Sequence, residues 1–319
     1  MTRKAAPYPS ATRSRRAAEP GRAGPVASVV LAILAAWTLV ALVANWSGAS
    51  DALIRAGEAP ESGRIAATTM AMERPVVPAP HQVVAELWRG VFGFPVTSKR
   101  SLVYHAWVTL SATLLGFAIG TALGIALAVA IVHLRSVEAS LMPWIVASQT
   151  VPILAVAPIV IVALGAAGLT GLLPKAVIAA YLCFFPVTVG MVKGLNAPDA
   201  IHRDLMRTYS ASKAQILSSL RWPAALPYLF ASLKIAVAAS LVGTIVAELP
   251  TGAQAGLGAR LLAGSYYGQT IQIWAALIAA AVLSALLVRV VGLAEAATLR
   301  ATGSPPGGGR RQEAADDAP

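Results

Sequence analysis

Apolar residues in this chain collect into runs of a length that a soluble core has little use for. They occupy residues 26–46, 103–134, 141–164, 174–192, 223–247 and 271–293. A helix of about 20 residues crosses roughly 30 Å of hydrocarbon, so each run is long enough to span a bilayer. With 57% of its 319 residues hydrophobic and only 12% charged, the chain also falls outside the usual composition of soluble domains. Backbone groups in lipid must be satisfied within the segment, which leaves helices as the economical solution. The expectation is an all-α membrane protein with about six transmembrane helices.

A net charge of +11 raises the question of a nucleic-acid partner, and the distribution of the charge answers it. With the N-terminus in the cytoplasm, six spans place Arg3, Lys4, Arg13, Arg15, Arg16, Arg22, Arg135, Lys193, Arg203, Arg207, Lys213, Arg221, Arg289, Arg300, Arg310 and Arg311 inside. The other side receives Arg55, Arg64, Arg74, Arg89, Lys99, Arg100, Lys175 and Arg260. The inside excess of about two to one is what the positive-inside rule predicts, so the basicity reports topology and no nucleic acid is implied. Both termini are then cytoplasmic. The first run exceeds a signal-peptide core and lacks a small-x-small cleavage site before the polar stretch, so it is read as a retained helix.

Residues 1–25 and 301–319, rich in Ala, Arg, Pro, Gly and Ser, read as disordered cytoplasmic tails. Residues 47–100 form an extracytoplasmic segment. Within it Val83, Val84, Leu87, Trp88, Val91 and Phe92 recur at helical spacing, opposite Gln82, Glu86 and Arg89. That pattern predicts an amphipathic helix on the outer membrane surface or on the bundle. Gly116, Gly120 and Gly124 fall one turn apart on a single face, which predicts close packing against another helix. Cys183 is the only cysteine, read as a small packing residue. His81, His105, His133 and His202 are scattered over loops and span ends, and neither metal nor cofactor is implied.

Polar residues inside the apolar runs are candidates for a translocation path. Gln149 and Thr150 precede Pro152 in the third run, where proline removes a donor and kinks the helix. These three either line a path or bond across helices. Glu248, at the outer end of the fifth run, either lines the solute entrance or anchors the glycine-rich loop at 249–270, which reads as re-entrant. Lys234 lies within reach of the cytoplasmic surface and reads as a snorkelling side chain.

The pattern breaks between the fourth and fifth runs, where residues 196–227 are polar, basic and helix-compatible. A plain connection needs only a few residues. Pro198-Asp199 can start a short helix, residues 210–212 can break and cap it, and residues 213–220 can form a second, so two short surface helices are expected. This segment resembles the cytoplasmic EAA loop of binding-protein-dependent ABC permeases, with its pattern Glu-Ala-Ala, three residues, Gly, nine residues, Ile, one residue, Leu-Pro. Asp204, Leu205 and Met206 take the first places, Ser210 and Ala211 follow at the joint with Ser210 in the glycine position, Leu220 takes the isoleucine, and Trp222-Pro223 the Leu-Pro. The stretch WPAALPYLFASLKIAVAASLVGTIVAE is similar to the fifth-span region of nitrate, sulfonate and taurine permeases, and AELPTG leans towards members serving pyrimidine precursors or riboflavin.

The resemblance covers residues 75–300 and implies a type I importer permease bundle in the bacterial cytoplasmic membrane, with a permease core at 101–300. It implies that ATP-binding cassette subunits dock on residues 199–222, through Asp204, Ser210, Ala211, Leu220 and Pro223. It further implies an extracytoplasmic solute-binding protein, a permease homodimer and membrane lipid as partners. The chain carries no Gly-x-x-x-x-Gly-Lys-Ser/Thr loop, so it is expected not to hydrolyse ATP itself. An ion-coupled secondary transporter would place a coupling charge near the membrane midplane, and no acidic residue lies near the centre of any run. A membrane enzyme would call for clustered ligands that the scattered histidines do not supply.

Overall fold

The computed structural model describes residues 23–250 and 253–302. Residues 1–22 and 303–319 of the expected tails at 1–25 and 301–319, and positions 251–252 of the glycine-rich loop, lie outside the described residues. The chain divides into two compact units at Met72. In the first, α1 (Ala23–Arg55) is followed by α2 (Ser62–Ala71), which folds back on the end of α1 through Ala49, Leu53 and Ile65. The helix thus begins inside the expected tail and runs on past Trp46, because Asn45 satisfies its amide on the Ala41 carbonyl at 2.7 Å and leaves the helix unbroken.

The second unit begins with α3 (Pro80–Phe92) and α4 (Leu102–His133). Pro80 starts α3 at a position where a missing N–H costs nothing, and the Gln82 side chain accepts from the Ala79 N–H at 3.0 Å. The amphipathic face divides differently from the expectation. Val83 and Gly90 are buried on the bundle, Gly90 against Leu102, while Val84, Trp88 and Phe92 point outward, Trp88 at 68% exposure. Glu86 is mostly covered. α3 therefore rests on α12 and α4 with its polar edge partly inward and an aromatic edge exposed.

The third apolar run forms two helices, α5 (Arg135–Ser148) and α6 (Ile153–Ala166), meeting at 101°. This corrects the expectation of one kinked span. Pro152 biases Val151 away from helical geometry and cannot donate, and Thr150 turns its hydroxyl back onto the Ala147 carbonyl at 2.8 Å. The Ser148 carbonyl released by the break accepts from the Tyr181 hydroxyl.

α7 (Leu172–Leu195) is the central helix, and α4 packs along one side of it. A methyl group on Gly116 would lie 2.6 Å from the Ala176 carbonyl oxygen, one on Gly120 2.7 Å from the Cys183 Cβ, and one on Gly124 2.8 Å from the Val187 Cβ. The glycine stripe is thus the groove that receives α7, and Cys183 fills it as a buried packing residue. After α8 (Ala200–Thr208) comes a single turn, α9 (Lys213–Ile216), which passes through a π turn (Leu217–Arg221) into α10 (Trp222–Glu248). α10 lies against the other side of α7, where Gly190 and Gly194 face Ser232 and Ala225. α11 (Leu257–Tyr266) and α12 (Thr270–Ala301) complete the unit. Among the described residues, five helical segments are long and apolar enough to cross a membrane, six when α5 and α6 count as one broken span.

Candidate functional site

The polar segment at 199–222 occupies the end of the bundle where α4 and α7 finish and α10 begins. α8 ends in a Schellman motif: the Ser210 N–H donates to the Arg207 carbonyl at 2.8 Å and the Ala211 N–H to the Met206 carbonyl at 3.0 Å. Ser210 stands in the left-handed position that glycine usually takes, with φ of 56°, alone among the described non-glycine residues. Ser212 then caps α9 reciprocally with Gln215, each accepting from the other's N–H. The second helix is not separate from α10. Residues 213–248 run as one continuous segment, and the π turn widens the helix just ahead of Pro223, whose ring would clash with a regular preceding turn.

Asp204 is exposed and pairs with Arg207 at 3.2 Å. Ile201 and Leu205 on α8 and Tyr209 at its C-cap, one turn apart, are all exposed and form an apolar stripe, Tyr209 at 78%. Leu220 is half-buried in the π turn, and Leu217 reaches the bundle core. The sequence pattern placed the acid and the proline but not this stripe, whose signal was the spacing of the three residues.

At the opposite end, Glu248 is fully buried and held from several sides. The Gly258 N–H donates to its carboxylate at 2.8 Å, the Thr109 hydroxyl donates at 3.1 Å, and the Lys175 ammonium lies 3.5 Å away. Thr109 also accepts from the Leu257 N–H at 2.8 Å. The Gly256 N–H donates to Nδ1 of His105, so the imidazole proton sits on Nε2 and donates to the Lys99 carbonyl. Gly256 has φ of 128°, and a side chain there would overlap the Glu248 carboxylate. The glycine-rich loop is therefore fastened to α4, α7 and α10 through one carboxylate. Of the two readings of Glu248, anchoring is the one with visible contacts. Lys175, Thr109 and His105 were not singled out from the sequence. The available signal was a lone cation and a lone acid at the same end of consecutive spans.

Beside this node lies a cavity of about 600 Å³ between α4, α6, α7 and residues 253–255, lined mainly by apolar groups with Tyr104, Lys175, Thr170 and Gln254. Gln149, Thr150 and Pro152 sit instead at the exposed α5–α6 break. Ser148 there meets Tyr181, roughly 9 Å along α7 from Lys175. The structure does not bring them to Glu248. Lys234, read as snorkelling, forms an ion pair with Glu295 of α12.

Residues 120–300 match the model of the binding-protein-dependent transport system inner membrane component family, more than half of the chain. The chain belongs to this family. The permease is 34% identical over 225 residues to the riboflavin transport system permease protein of Chloroflexus aurantiacus, covering 70% of this chain and 80% of the relative. It is 32% identical over 184 residues to the formylaminopyrimidine transport permease protein of Halalkalibacterium halodurans, covering 57% and 68%. A putative aliphatic sulfonates transport permease protein of Bacillus subtilis is 28% identical over 196 residues, covering 61% and 69%. The protein is thus a multi-pass ABC transporter permease, a transport subunit rather than an enzyme, and the matched region takes in α7, the polar segment and α10.

Proposed function

We propose that this permease is the membrane half of an importer that moves a small solute handed over by an extracytoplasmic solute-binding protein and is driven by cytoplasmic ATP-binding subunits. The observation that carries the reading is the apolar stripe Ile201, Leu205 and Tyr209 on α8, exposed at the end of the bundle opposite the Glu248 node. An ATP-binding subunit seated there would push on α8. The Schellman joint at Ser210 and Ala211 and the unbroken run through Leu220 and Pro223 would carry that push into α10. Asp204 and Arg207 form an exposed ion pair on the same helix. Both termini are cytoplasmic in this arrangement, a reading the charge asymmetry supports.

Two copies would form the path. α5 and α6 present Trp144, Leu154, Ile159 and Val162 outward, an apolar face suited to a second permease chain or to lipid. The break carrying Gln149, Thr150 and Pro152 would then lie along the seam and line the path, with Glu248 holding the loop that closes its outer end. The solute class follows the relatives that serve riboflavin and formylaminopyrimidine, and the mostly apolar 600 Å³ cavity has room for a flat heteroaromatic ring. The test is uptake into proteoliposomes holding the permease, its ATP-binding subunit and its solute-binding protein. ATP-dependent accumulation of a flavin or an aminopyrimidine is expected. Accumulation that needs an ion gradient and no ATP would overturn the reading.

A further inference from the structure

Behind α8, on the side away from the apolar stripe, the structure gathers cations around a cavity of about 360 Å³. Arg203 and Arg207 of α8, Lys213 of α9, Arg221 at the close of the π turn and His133 at the end of α4 all line it. Asp204 offsets Arg207, but among the described residues Arg203, Lys213 and Arg221 have no ion pair. Nε of Arg221 is buried and has no hydrogen-bond partner among the described residues. His133 donates from Nδ1 to the Val129 carbonyl, leaving Nε2 as its remaining polar atom.

Like charges so placed repel one another, and repulsion from both Arg203 and Arg207 reaches Arg221. A buried guanidinium N–H left unmade is costly as well. Both costs are relieved by one group that carries negative charge and several acceptor oxygens. Guanidinium forks match phosphate geometry, and basic pockets beside spanning helices at the cytoplasmic surface hold anionic headgroups.

We propose that this cavity is a binding site for a phosphate group, taken either from the headgroup of an anionic phospholipid or from free phosphate. The bound anion ties α8 to the end of α4 and to the π turn, and so sets the resting position of the segment on which an ATP-binding subunit would act. The site is separate from the apolar stripe, and its existence does not depend on docking there.

The test uses the full permease with its ATP-binding subunit in nanodiscs, with bound anion counted by native mass spectrometry. One arm adds inorganic phosphate to neutral phosphatidylcholine discs, and the other includes phosphatidylglycerol in the discs. One equivalent per permease chain is expected in at least one arm, and the arm that shows it identifies the source. Affinity should fall at least about tenfold in Arg203→Gln and in Arg221→Gln, the equivalent of one charge-assisted hydrogen bond each. Arg74→Gln, outside the cluster, should bind as the unaltered protein does. Arg203 is half-buried with no partner among the described residues, so its variant reads the site without disturbing the spanning segment. Absence of binding in both arms, or binding unchanged in Arg203→Gln, overturns the proposal.

Discussion

Two residues concentrate the energetics of the two ends of the bundle. Glu248 is the acceptor for Gly258 and Thr109 and the counter-charge for Lys175, all within a buried shell. Replacing it by alanine leaves a buried ammonium and orphaned donors, a loss on the order of 3–5 kcal/mol. Glu248→Ala should therefore fall sharply in the fraction that stays folded on heating, read by size-exclusion of a fluorescent fusion, and adding Lys175→Met should restore part of it. Equal stability of the alanine variant and the parent would rule out the anchoring role. Ser210 is the converse case, an L-residue held at φ of 56°. Glycine there removes about 1–2 kcal/mol of left-handed strain, partly offset by about 0.4–1 kcal/mol of unfolded-chain entropy. Ser210→Gly should raise the midpoint slightly and Ser210→Val should lower it. The reverse order would mean that the Schellman joint is not present in the folded protein.

At the scale of elements, the stripe of Gly116, Gly120 and Gly124 decides how near α4 and α7 can come. Gly120→Leu would drive a side chain into the Ala180 carbonyl and Cys183 and should abolish the folded peak, since overpacking by even a few methylenes costs about 1–3 kcal/mol. Gly165→Ala in α6 meets nothing within 4 Å and should be close to neutral, so similar losses in both variants would contradict the packing scheme. This face was legible in the sequence because glycine spacing in a membrane helix has few other uses. The bend at Pro152 was legible as a kink but not in its size, since the 101° turn depends on Tyr181 satisfying the released carbonyl from another helix. The merging of α9 with α10 escaped for a similar reason: Pro223 reads as a helix start, whereas the π turn ahead of it lets the helix continue. The Glu248 node was the least legible, because its members lie 139 and 10 residues apart in Thr109 and Gly258 and only the fold brings them together.

At the scale of the whole molecule, orientation in the membrane and the point where energy enters decide what the permease does. Single cysteines at Ser62 and Lys213 in a Cys183→Ser background should be labelled by an impermeant maleimide from outside only at Ser62. Labelling only at Lys213 would reverse the topology. The central claim is that an ATP-binding subunit takes hold of α8. Co-purification of the tagged permease with that subunit measures it most directly, using Leu205→Asp combined with Tyr209→Asp to charge the exposed stripe while leaving the buried bundle untouched. A complex with the unaltered permease and at least about a tenfold loss of the subunit from the double variant are expected, since two apolar anchors are lost from a docking surface. An undiminished complex would contradict it.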